Sequence, residues 1–123
     1  MYYYYFDQHA PHSAGTPEAD HGMAHGMDVP YAFQTLDRND AKLRPEDFAI
    51  SDTVSTYWTN FAKRGNPNGP GVPAWPEFTK NSREVMHFHD AAFVGPVPSA
   101  AALEVLDSYF AWRRTPEGAA WAQ

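Results

Sequence analysis

With no cysteine in the chain, the groups best suited to chemistry are its six histidines and the hydroxyls and carboxylates near them. His25 stands in a stretch with glycines at 22 and 26 and continues as His25-Gly-Met-Asp-Val-Pro-Tyr-Ala-Phe33. An imidazole ionises close to neutral pH and can therefore take and return a proton. Spacing alone makes such a histidine an ordinary loop residue. Asp28, three residues on, could orient the ring, but it is better placed to favour the positive start of the turn that follows. Pro11-His-Ser-Ala-Gly15 superficially resembles a nucleophile elbow. Pro11 replaces the first glycine, however, and no helix follows for the strained turn to enter, so Ser13 reads as a loop hydroxyl. His21 with His25, and His87 with His89 on one side of a strand, raise metal ligation. No glutamate follows His21 as a metalloprotease motif requires. Solvated histidines are the expectation, with no metal and no organic cofactor.

Composition narrows the remaining classes. The chain has 123 residues and a net charge of −6, with lysines and arginines too scattered to form a basic stripe. Nucleic acid is not an expected partner. The apolar start, Met1-Tyr-Tyr-Tyr-Tyr-Phe6, is too short to span a bilayer and lacks the basic lead of a secretion signal. It reads as structure, and the cellular address stays unknown.

The elements that position these groups follow from periodicity. Residues 1–6 predict a strand buried on both faces, of the kind found inside a parallel sheet. Its only visible partners are short, Glu84–Phe88 and Ala91–Val94, so neighbouring strands are expected upstream of a truncated chain. Residues 7–24 form a long connection delivering His25, and a helical turn follows over Asp28–Phe33, with Pro30 tolerated in its first turn.

A helix is predicted over Pro45–Arg64. Ile50, Val54, Tyr57, Trp58 and Phe61 form its buried stripe, acids stand at its start, and Gly65 stops it. The aromatics Tyr57, Trp58 and Phe61 are accordingly assigned to core packing. Asn66–Pro76 should be an ordered irregular turn anchored by Trp75. A second helix is expected over Ser99–Arg113, capped by Ser99, with Leu103, Leu106, Phe110 and Arg113 on one face.

The His25–Phe33 block closely resembles the H-G-x-E-L-P-Y-V-F segment of type-B carboxylesterases, which carries that family's catalytic histidine. Three further blocks follow the family's order: the leading Tyr-Tyr-Tyr-Tyr-Phe strand, Tyr57-Trp-Thr-Asn-Phe-Ala-Lys-Arg-Gly-Asn-Pro-Asn68, and Trp75-Pro76. The departures within the first block, Asp28 for glutamate and Met27 at a variable position, remove no group the chemistry needs.

The resemblance implies an α/β fold, namely a C-terminal fragment of an α/β-hydrolase with one buried strand, a catalytic-His loop, two main helices and one or two short strands. Residues 1–123 would be one partial domain, with no complete second domain. It implies His25 as the triad histidine of a carboxylic-ester hydrolase acting on small-molecule esters. The family's G-E-S-A-G elbow, oxyanion loop and acid have no counterpart here. The isolated chain is therefore expected to be inactive and to self-associate through exposed apolar surface. The alternative is a non-catalytic cholinesterase-like binding or adhesion module.

Overall fold

The computed structural model describes residues 1–9 and 23–121; Ser13 and His21 lie outside them. The elements run β1 (Tyr4–Phe6), α1 (Val29–Ala32), α2 (Pro45–Arg64), β2 (Glu84–His89), β3 (Ala91–Pro96), α3 (Ala100–Arg113) and α4 (Pro116–Ala120).

Helix α2 has the predicted bounds because both ends have local causes. Pro45 supplies a preset first-turn φ, and the Asp47 carboxylate accepts the backbone N–H of Arg44 at 2.7 Å, satisfying a donor just before the helix. At the far end Gly65 adopts φ 69°, a left-handed conformation that spares a Cβ penalty, and its N–H bonds Phe61 O at 2.7 Å. Ile50, Val54 and Tyr57 are buried as expected, but Trp58 and Phe61 are exposed. The stripe drifts off the sheet there, and the two rings lie along its rim against Phe33 and Tyr2.

The sheet has the order β1-β2-β3. β1 pairs with β2 in parallel, Tyr4 opposite Met86 and Phe6 opposite Phe88, and β2 turns through Asp90 into antiparallel β3. A parallel pair needs a crossover, which the intervening helices provide. β2 and β3 are the short strands expected at Glu84–Phe88 and Ala91–Val94, and β2 is the parallel partner of β1. Burial of β1 on both faces is not met. Tyr2, Tyr4 and Phe6 pack on the core, whereas Tyr3 and Tyr5 are exposed. The pleat sends alternate side chains to opposite faces, and helices cover only one of them.

The core joins Tyr31, Ala32, Ile50, Val54, Tyr57, Trp75, Met86 and Phe88. Trp75 anchors the proline-rich turn as anticipated. Its indole N–H donates to Tyr3 O at 3.0 Å, its ring packs edge-on against Tyr57, and Asn68 bonds both its backbone N–H and its carbonyl. Tyr57 reaches the same turn through its hydroxyl, which donates to Pro73 O at 2.7 Å.

Helix α3 forms, but none of its residues is buried, and Leu103, Leu106 and Phe110 face outward. Nothing among the described residues covers that face. Ser99 adopts φ 54° and makes no side-chain cap, so its expected role is not met. The unforeseen α4 begins at Thr115, whose hydroxyl accepts the Gly118 N–H at 3.2 Å.

Candidate active site

His25 opens a turn spanning residues 25–28 and is exposed. Gly26 takes φ 80°, which lets the chain reverse before α1, and Val29 N–H closes the turn on Gly26 O at 3.2 Å. The ring is not packed among apolar neighbours, and no described carboxylate is bonded to it.

Asp28, next to the first residue of α1, makes no cap to the helix. Its carboxylate instead accepts the Tyr4 hydroxyl at 2.5 Å, tying the turn to β1. Burial pushes the Tyr4 hydroxyl pKa well up, and the bond to the Asp28 carboxylate adds to this, so the phenol stays a donor. Asp28 occupies the N-cap position of α1, where its charge was expected to act, but its hydrogen bond goes to β1.

Behind the turn, α1 is fixed to α2. Ser51 donates to Tyr31 O at 2.8 Å, and the Tyr31 hydroxyl donates to Asp47 Oδ1 at 2.9 Å. Burial and that carboxylate raise the Tyr31 pKa as well. Asp47 also receives Gln8 Nε2 at 2.7 Å, and Gln8 Oε1 accepts the Asp90 N–H at 2.5 Å. Gln8 is fully buried, so its amide must be satisfied internally, and it is. This polar knot joins the exit of β1, the His25-bearing segment, the start of α2 and the β2–β3 turn.

Sequence reasoning missed the knot because its members are 39 and 82 residues apart in the chain. The signal present was a glutamine two residues past an aromatic strand, too common to single out. Of the other histidines, His87 Nε2 bonds Pro96 O at 2.9 Å and its ring stacks on Phe93. His89 Nδ1 bonds Asp7 O at 2.8 Å. Neither is merely solvated, and the two do not converge on one point. An apolar groove of about 340 Å³ lined by Tyr2, Tyr4, Trp58, Phe61 and Trp75 does not include His25.

A parallel βαβ-type pairing whose crossover carries an accessible histidine between its first strand and first helix is what one region of an α/β-hydrolase presents, and family comparison agrees. The model of the carboxylesterase family matches residues 1–104, and the chain belongs to that family. It is 36% identical over 83 residues to human (Homo sapiens) cocaine esterase, covering 66% of this chain and 15% of that protein. It is 40% identical over 88 residues to the medium-chain fatty acyl-CoA hydrolase precursor of Anas platyrhynchos, covering 66% and 14%. To human neuroligin-2 it is 33% identical over 109 residues, covering 71% and 13%. A carboxylesterase structure from Geobacillus stearothermophilus superposes with TM-score 0.62 at 28% identity over 81% of this chain and 20% of that one. A PNB esterase structure gives TM-score 0.63 at 26% identity, covering 82% and 20%.

The chain thus spans about one seventh of the length of the curated relatives it matches and one fifth of these solved esterases. The expected carboxylesterase membership and α/β-hydrolase fold are met. No helix among the described residues is long and apolar enough to cross a membrane.

Proposed function

We propose that the chain contributes the general acid/base, His25, to a serine hydrolase of small carboxylic esters. The observation that carries the reading is an accessible imidazole at the head of a segment bonded to strand and helix alike, within a chain of the carboxylesterase family. A side chain so placed can reach a reacting group while its backbone stays fixed.

On this reading the serine comes from outside residues 1–123. Its hydroxyl proton passes to the imidazole as its oxygen attacks the acyl carbon, and the imidazole then protonates the departing alcohol oxygen. Water repeats the sequence on the acyl-enzyme and releases the acid. The chemistry needs no metal or organic cofactor. Residues 1–123 are part of one hydrolase domain; alone they are inactive, lacking nucleophile, acid and oxyanion donors, and associate through uncovered apolar surface.

Two assays on a p-nitrophenyl ester test this. The purified chain gives no turnover. Spliced in place of the matching segment of the Geobacillus stearothermophilus carboxylesterase, it supports hydrolysis, and His25→Ala lowers kcat by roughly a thousandfold or more. Turnover by the active splice that is indifferent to His25→Ala would remove the proposed role.

The likeness to neuroligin-2, a relative not named as a hydrolase, favours a second reading, a non-catalytic binding or adhesion module. The preceding coding sequence decides: G-x-S-x-G supports the enzyme, a replaced serine the module.

A further inference from the structure

Where β1 and β2 end side by side, Asp7, His9 and His89 converge. One ligand atom from each lies within 4.8 Å of the others. The Asp7 Oδ1 to His9 Nε2 separation is 3.6 Å, too long for a hydrogen bond. It is close to the roughly 3.4 Å edge of a tetrahedron whose metal–ligand bonds are about 2.1 Å. Asp7 Oδ1 is moreover buried and accepts no hydrogen bond. A buried carboxylate oxygen without a donor is costly, and a cation is the simplest partner for it.

The His89 imidazole is suited to ligation. A backbone carbonyl can only accept, so His89 must carry its proton on Nδ1 to bond Asp7 O at 2.8 Å. That leaves Nε2 as the lone-pair nitrogen, in the arrangement that orients histidine ligands in metal proteins. The His9 and His89 rings meet edge to face at 5.6 Å. Arg44, which bonds His9 O, is itself paired with Asp90 at 2.7 Å and Asp47 at 3.5 Å. The ligand atoms lie within 4.8 Å of one another, so closing to tetrahedral edges takes at most roughly 1.4 Å, within reach of side-chain torsions at the exposed His89.

We infer that Asp7, His9 and His89 form a binding site for one borderline divalent cation such as Zn²⁺. One carboxylate and two imidazoles suit such an ion and are a poor set for Mg²⁺ or Ca²⁺, which favour all-oxygen shells. The bound ion clips the exit of β1 to the end of β2, where the connection towards His25 begins. Its role there is structural, so it stands or falls independently of the ester-hydrolase reading.

Calorimetric titration of the full chain with ZnCl₂ tests it. One equivalent binds; Asp7→Asn, His9→Gln and His89→Gln each weaken binding by about tenfold or more, while His87→Gln, His21→Gln and His25→Gln leave it unchanged. Co²⁺ in place of Zn²⁺ gives the visible absorption of a four-coordinate nitrogen and oxygen site, reduced in His89→Gln. Far-UV circular dichroism establishes that each variant is folded, and Zn²⁺ raises the melting midpoint of the unsubstituted chain but not of Asp7→Asn. Absence of binding, binding that survives His89→Gln, or binding lost with His21 or His25 instead would overturn the site.

Discussion

Asp47 accepts hydrogen bonds from Gln8, Tyr31 and the backbone of Arg44 while almost wholly out of water. Burial alone pushes its pKa up, but the bonds from Gln8, Arg44 N–H and Tyr31, with the Arg44 charge, outweigh this, and the net shift is downward. A carboxyl whose folded-state pKa is depressed contributes stability that is present above its unfolded pKa and is lost as pH falls through the folded value. Urea unfolding should therefore show stability declining below about pH 4, with the decline shallower in Asp47→Asn. Asp47→Ala strands three donors and should cost on the order of 3 kcal/mol at neutral pH; a loss below 1 kcal/mol would mean the knot is not held by this residue. From the sequence, Asp47 is visible only as an acid at a helix start. Its partners just past β1 and on α1 are tertiary neighbours that no local spacing encodes. His25 was singled out by the block around it rather than by its own spacing.

Elements were legible where their boundaries have local causes. Pro45 and Gly65 fix α2, and Trp75 settles the proline-rich turn, because caps and turn residues act within a few positions. The faces of elements were less legible. Six consecutive apolar residues hide the two-residue period of β1, and the exposure of Trp58, Phe61 and all of α3 depends on what stands opposite. Trp75 offers a separable test of how the turn and sheet are joined. Trp75→Phe keeps a ring among Tyr4, Tyr57 and Phe88 but removes the donor to Tyr3 O, for a cost of about 1 kcal/mol. Trp75→Ala also opens a cavity in the core and should cost about 3–5 kcal/mol by urea unfolding. Equal losses in the two variants would place the energy in the hydrogen bond instead of the packing.

At the scale of the whole molecule, surface area separates a closed domain from one with uncovered faces. Among the described residues the uncovered faces carry large apolar side chains. Part of the apolar surface is identifiable. Tyr3, Tyr5 and Phe93 occupy the bare face of the sheet, Leu106, Tyr109 and Phe110 lie along α3, and the outer edge of β1 is unpaired among the described residues. An unpaired strand edge adjoining an aromatic face is a template for pairing with another chain. In sedimentation velocity the isolated chain should therefore show a weight-average mass that climbs with concentration. Tyr5→Lys combined with Phe93→Lys, which charges the bare sheet face without touching the core, should lower that mass towards the monomer's. If the unsubstituted chain instead sediments as a single sharp monomer at every concentration, the uncovered faces do not drive association, and the sheet is self-sufficient with three strands and one layer of helices.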